Sequence, residues 1–376
     1  MKKIFNISLK LIIILICFLM IKRIYINLNK NKIFGSDKYM LKIKDNRYCA
    51  GKFDFINLEK FNRSYEITKI NIKNFLKNNK IKFIDEKNKI YYDKKMKVDD
   101  ILFKYELDIE TIFDNVEYNK KLPLFYVYDK SKLCCYIIFD HRCSDLITAF
   151  RYTELFDFKP TKNMKGIDYN YIPFYNEFIF IITCFINFFK LYFTKKNYSI
   201  DKKNINLKTY QYNNNFIKNL RNKYDLKSTL ISLSLSIHKI FCSSKIKINN
   251  LIVGILIGYK NKKFNNNYSI LCLKIKYSLE LDDIIKNIKK EMKYKFTALG
   301  SYDLLKYYTS FEKMLKTKID LFYTNMFNYN ELYNSCIKET KIIINNLQVP
   351  FYITSSSQNN YTNITIQYQT NNFIPT

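Results

Sequence analysis

The chain has 376 residues, 48% of them hydrophobic, which is enough for one large domain or two modest ones with real cores, so disorder is not its default. Lys and Arg number 63 against 33 Asp and Glu, and the net charge of +30 reads mainly as solvated lysine with a diffuse field that attracts anionic lipid or phosphorylated cofactors. Six glycines leave no Gly-rich phosphate loop, no Gly-x-Ser-x-Gly elbow and no dinucleotide fingerprint, so kinase, serine hydrolase and dehydrogenase readings fall away.

The first element in chain order is a membrane segment. Lys2 and Lys3 precede an apolar run from Phe5 to Ile21 that is uncharged from Leu11 onward, and Lys22-Arg23 follow it. No small-residue cleavage site comes after the run, so residues 1–28 are read as an uncleaved N-terminal anchor. The run is short for a span and contains Lys10. Its denser positive flank (Lys22, Arg23, Lys30, Lys32) lies on the C-terminal side, which by the positive-inside tendency puts the main body in the cytoplasm, at an endoplasmic-reticulum-like membrane if the cell is eukaryotic.

Residues 29–194 read as a first α/β lobe. Ile81 to Tyr92 has the pattern of strand, turn and strand, and Cys134-Cys-Tyr-Ile-Ile-Phe139 is an apolar run of strand formers. That run leads into Asp140-His141, and Ser144 is a good cap for helical residues 145–155. A second apolar run, Phe178 to Phe193, carries Asn187 and Lys190; a buried helix and a helix lying in the headgroup region both fit it.

Residues 195–208, charged and rich in Asn, read as a linker, and 209–376 as a second α/β lobe. Ser228 is the expected cap of a helix with apolar positions 230, 233, 237, 240 and 241. Leu251–Ile257 is a buried strand, Leu271–Tyr277 a partly exposed one, Leu281 to about Phe296 an amphipathic helix, and Ile364–Tyr368 a last strand.

Nine cysteines, odd in number and without a Cys-x-x-Cys pair, fit a reducing compartment. Two histidines about a hundred residues apart offer no metal-ligand spacing, so no metal is expected. His238, on the helix of the second lobe, reads as a structural residue. His141-Arg-Cys-Ser-Asp145 is the constellation with chemistry in it. A neutral imidazole suits the task of a general base near neutral pH. Cys143 and Ser144 are adjacent, so a covalent intermediate through either is the alternative route.

This motif and its surroundings resemble the wax ester synthase and diacylglycerol acyltransferase family. That family sits within the chloramphenicol acetyltransferase-like, His-x-x-x-Asp superfamily that includes peptide-synthetase condensation domains. Pro123-Leu124-Phe125 stands where the family has Pro-Leu-Trp, and Asp140-His141-Arg-Cys-Ser-Asp145-Leu146 corresponds to its His-His-x-x-x-Asp-Gly. Residues 178–193 fall where related members carry a hydrophobic segment. Lys227–Ile237 is similar to the helix opening their second lobe, and Asp320-Leu-Phe-Tyr-Thr324-Asn325 to the strand leading to their Ser-Asn motif. The likeness spans about residues 40–376. Asp140, Leu146 and Leu230-Ile231 depart from the pattern, and no Pro-Gly-Pro follows Asn325.

The resemblance implies an α/β fold of two chloramphenicol acetyltransferase-like lobes with mixed sheets and an active-site tunnel between them. It implies an O-acyltransferase of wax ester or acylglycerol type. His141 would be the general base, Asp145 the structural support of the motif, and Thr324 or Asn325 the oxyanion donor. Acyl-CoA would be the co-substrate with a hydroxyl acceptor and membrane lipid as partners, no bound cofactor, no nucleic acid, and direct transfer in a ternary complex. A catalytically inactive homologue, condensation-type N-acyl transfer and a basic, Tyr-rich membrane-bound binding protein are the competing readings.

Overall fold

The computed structural model describes residues 48–78, 95–104, 124–140, 206–246, 248–260, 268–292, 319–325, 336–344, 349–358 and 360–375, with shorter pieces at 13, 14, 17, 21, 83–84, 90–91, 106, 167–168 and 198–199. The anchor, residues 1–28, lies almost wholly outside them; Ile13, Ile14, Cys17 and Ile21 are helical and exposed. Among the described residues no helix is long and apolar enough to cross a membrane. Residues 178–193 also lie outside the described residues.

The chain first builds β1 (Tyr48–Phe55) and α1 (Leu58–Lys77), then a small hairpin of β2 (Phe83–Ile84) and β3 (Ile90–Tyr91) where the alternation of 81–92 predicts one. β4 (Leu102–Lys104), β5 (Leu124–Asp129) and β6 (Cys134–Asp140) follow in the first half. Asn57 starts α1 by accepting the Lys60 N–H at 2.9 Å, which satisfies one of the amides a helix start leaves open. The helix then presents Phe61, Tyr65, Ser64 and Thr68 to the sheet. Phe61 and Tyr65 meet the ring of Tyr128 edge-on at 5.4 and 5.2 Å, and Ser64 and Thr68 hydrogen-bond its hydroxyl at 2.8 and 2.9 Å. A fully buried phenol is thus packed on its faces and satisfied at its tip.

β7 (Ile167–Asp168) also belongs to the first half, and the second half contains β8 (Asn206–Asn213), α2 (Asn214–Tyr224), α3 (Ser228–Ser243), β9 (Asn250–Lys260), β10 (Tyr268–Lys276) and α4 (Leu281–Glu291). β11 (Leu321–Asn325), β12 (Ile337–Ile344), β13 (Phe351–Gln358) and β14 (Tyr361–Tyr368) follow. The helix α3 begins one residue before the expected cap: Leu230 N–H and Ile231 N–H bond to the Lys227 carbonyl, so Lys227 is the cap and Ser228 the first helical residue. The segment read as a linker ends in strand, since Asn206–Lys208 open β8.

Two sheets carry the fold. The first has the order β12-β1-β6-β5-β4, the second β10-β9-β11-β13-β14-β8 with β7 beside β9. Each half of the chain therefore lends a strand to the other's sheet: β12 pairs with β1, and β7 with β9. On the second sheet, Leu321, Tyr323, Ile353, Ile364 and Ile366 face a core shared with α2, α3 and α4. The intervening residues point to the opposite face, where Tyr352, Phe322 and Leu256 join the core of the first sheet.

A side chain fastens the two sheets. Gln367, 1% exposed, donates from Nε2 to the Ile344 carbonyl at 2.7 Å and accepts the Ile344 N–H on Oε1 at 3.0 Å, so β14 satisfies the outer edge of β12. Replacing Gln367 by Leu keeps the volume but strands both backbone groups of Ile344. Urea unfolding should report a loss of about 2–3 kcal/mol, and an unchanged midpoint would mean that this joint contributes nothing.

Candidate active site

The strand that leads to His141 is held on both sides. A tight turn joins β5 to β6: Asp129 Oδ1 accepts from Ser131 Oγ at 2.7 Å and from the Lys132 N–H at 3.1 Å. Leu133, with φ of 48°, takes the left-handed conformation that reverses the chain. Its carbonyl accepts the Phe55 N–H at 2.8 Å, tying the turn to β1. Every residue of β6 is buried, and the strand runs antiparallel to both β5 and β1 up to the Tyr48–Asp140 pair. Asp140, 1% exposed, is the last described residue, and His141 is the next in the chain. His141, Cys143, Ser144, Asp145 and the helix expected over 145–155 lie outside the described residues.

From Asp140 a series of buried groups runs across to the second sheet. Burial, and then the Asp140 carboxylate, push the Cys49 thiol up to about 12. Cys49 in turn acts on Tyr352 of β13, whose phenol burial holds well above its ordinary range, against the pull of a hydrogen bond to Thr324. Tyr352 thus keeps its proton. Its hydroxyl and the Thr324 hydroxyl hold one another in place between β13 and β11. Neither Cys49 nor Tyr352 carries a sequence signature. Both lie in one core because the first sheet packs on the outer face of the second.

The two expected oxyanion donors diverge. Thr324, 7% exposed, lies on the face of β11 turned toward the first sheet, in register with Thr354 of β13. Asn325, one residue on, is exposed and points to the opposite face of the strand. Of the pair, Thr324 is the one connected to the Asp140 end of β6. Upstream, Asp320 fixes the start of β11: its Oδ2 accepts the Ile252 N–H at 3.0 Å, its own N–H donates to the Ile252 carbonyl at 2.9 Å, and its carbonyl accepts the Phe351 N–H at 3.1 Å. β11 is thereby anchored to β9 and β13 at the end opposite Thr324. Tyr323 adds a second tie, donating to the Thr229 carbonyl of α3 at 2.8 Å and meeting Ser355 Oγ at 2.6 Å.

His238 stands apart from this region on α3. Its Nε2 lies 3.0 Å from the Leu279 carbonyl and 3.5 Å from Cys242 Sγ, a structural arrangement that pins the approach to α4. Among the described residues no three His, Cys, Asp or Glu side chains gather as a metal site would need.

No protein-family model matches the chain, and no curated protein matches it. Solved structures do. The trichothecene 15-O-acetyltransferase TRI3 of Fusarium sporotrichioides superposes with a TM-score of 0.60 at 9% identity over 90% of each chain. The first condensation domain of the CDA synthetase gives 0.56 at 7% identity, again over 90% of each chain. The wax ester synthase/diacylglycerol acyltransferase of Marinobacter aquaeolei VT8 gives 0.53 at 9% identity, over 90% of this chain and 93% of that one. At such identities the likeness is one of fold. The chain has the two-lobe α/β fold, with mixed sheets, of chloramphenicol acetyltransferase-like proteins and condensation domains.

Proposed function

We propose that the chain is a membrane-anchored acyltransferase that moves an acyl group from acyl-CoA to a hydroxyl, with His141 as general base. The observation that carries this reading is the buried strand β6, which ends at Asp140 and runs directly into His141-Arg-Cys-Ser-Asp145 within a fold shared with an O-acetyltransferase and a wax ester synthase.

In the proposed reaction the acceptor hydroxyl attacks the thioester carbonyl while the His141 imidazole takes its proton. The carbonyl oxygen becomes an oxyanion that Thr324 stabilises through its hydroxyl, with Tyr352 holding that hydroxyl in place. Collapse breaks the carbon–sulfur bond, and the imidazolium returns the proton to the departing CoA thiolate. Asp145 keeps the motif in shape. The net charge of +30 favours a nucleotide-bearing, polyanionic donor by raising its local concentration. The anchor over residues 1–28, with the catalytic body in the cytoplasm, completes the proposal.

The test is incubation of membranes carrying the full chain with radiolabelled acyl-CoA and a panel of alcohols and amines, alongside the His141→Ala chain. Ester formation that depends on His141 supports the reading; amide formation would move it to condensation-type transfer. Acyl-CoA left intact by both chains would end it in favour of a binding role or an inactive homologue.

A further inference from the structure

The face of the second sheet turned toward the first is not a continuous apolar surface. Thr324 of β11 pairs with Thr354 of β13, Thr354 with Thr365 of β14, and Thr365 with Thr209 of β8. Directly paired residues share a face, so four threonines form one row across four adjacent strands, roughly 14 Å long at about 4.8 Å per strand. A second row lies beside it: Ser356 pairs with Asn363, and Asn363 with Gln211. On the other side sits the row of Phe322, Tyr352 and Gln367, which docks on the first sheet.

These polar positions are buried: Thr324 is 7% exposed, Thr354 5%, Ser356 4%, Asn363 6% and Thr365 5%. A sheet face that merely packed against a neighbour would carry Val or Ile there. Part of the row satisfies itself, with Thr209 and Thr365 joined at 3.1 Å and Gln211 bonded to Asn363 at 3.3 Å. Thr354 and Ser356 belong to neither of these pairs, and their hydroxyls are not among the sealed, partnerless polar atoms of the described residues. Two hydroxyls on buried residues, each able to donate and accept, thus share the face of Thr324, with Thr354 directly beside it and Ser356 one row further on.

We infer that this double row is the acceptor subsite, and that the acceptor is a polyhydroxylated molecule, a sugar or polyol, rather than a long-chain alcohol. The inference rests on the acyl-transfer reading above. A sugar lying along the row exchanges hydrogen bonds with Thr354 and Ser356 while one of its hydroxyls reaches the end marked by Thr324. An alkyl chain in the same place would hold methylenes against hydroxyls that then bond to nothing. The same wall thus selects against the fatty alcohol that the wax ester resemblance implies. The exposed end of the row, at Gln211 on the outermost strand β8, gives a polar molecule a path in from water.

The experiment uses the full chain in detergent, radiolabelled octanoyl-CoA, and methyl glucoside, glycerol or 1-hexadecanol as acceptor. Methyl glucoside or glycerol should be acylated with a kcat/KM at least tenfold above hexadecanol. Thr354→Val combined with Ser356→Ala should lower that ratio at least tenfold. A preference for hexadecanol in the unaltered chain overturns the inference without needing any variant. So does an unchanged ratio in the double variant, which would make the row a water-filled seam only. If octanoyl-CoA is not cleaved in a His141-dependent way with any acceptor, the parent reading fails and this one with it; His141-dependent transfer to hexadecanol alone sinks only the acceptor assignment.

Discussion

Between about pH 10 and 11 the protein should unfold, because groups buried in protonated form ionise once the chain opens. Cys49 is held up to about 12 and Cys134 to about 11, in each case chiefly by burial, with Asp140 adding to the first and Lys52 opposing the second. Burial likewise raises Cys135 and the phenols of Tyr128, Tyr136, Tyr323 and Tyr352. The native state therefore binds more protons than the unfolded state above the ordinary thiol range. Stability is fully present below about pH 9 and falls as pH rises toward the native values. At pH 11 the two thiols alone remove about 5 kcal/mol, at 1.36 kcal/mol per pH unit of separation. That equals the whole stability of many domains, which lies at about 5–15 kcal/mol. Far-UV circular dichroism against pH would follow the loss, and Cys49→Ala should move the midpoint upward. A spectrum unchanged to about pH 12 would mean that these side chains meet solvent in the native state.

The same buried strand explains what could be read in the sequence and what could not. Cys134–Phe139 is legible because a strand covered on both faces has to be continuously apolar, and β6 differs from that reading only in running on to Asp140. The small hairpin at 83–84 and 90–91, the helix Ser228–Ser243 and the strand starting at Asn250 were legible for similar local reasons. Pairing across most of the chain was not. β12 lies against β1 and β7 against β9, and no local periodicity encodes which sheet a strand joins. β8 was hidden by its polarity: as the outermost strand on its side of the sheet it buries only Tyr210 and leaves its other residues exposed or half-buried, and Asn206–Lys208 read as linker.

The polar row was hidden for a related reason. Thr354-Ser-Ser-Ser357 has the composition of a loop, and only its register with β11 and β14 turns it into half of a buried sheet face. Of the site itself, the sequence shows the candidate base and its spacing from Asp145, while the partners of Thr324 come from packing. Asn325 looked equivalent to Thr324 because adjacent residues in a motif are one position apart in sequence. In a strand they are on opposite faces.

His141→Ala should lower acyl transfer by about two to four orders of magnitude, the usual contribution of a positioned general base, with little change in melting temperature. The proton of the acceptor hydroxyl then has nowhere to go as the carbon–oxygen bond forms, and acyl-CoA binding need not change. KM for acyl-CoA should accordingly stay close to that of the unaltered chain while kcat collapses. Asp145→Ala should fail differently. If the carboxylate anchors the motif through a buried charged hydrogen bond, its removal strands the partner at a cost on the order of 3 kcal/mol, so melting temperature and rate fall together. Asp145→Asn keeps the shape and one acceptor oxygen, and should recover most of the stability. Three proteins, each measured for melting temperature and for kcat and KM separately, decide the roles. A fully active His141→Ala chain removes the histidine from the chemistry, and an Asp145→Ala chain that melts normally but does not turn over moves the carboxylate from support into the reaction.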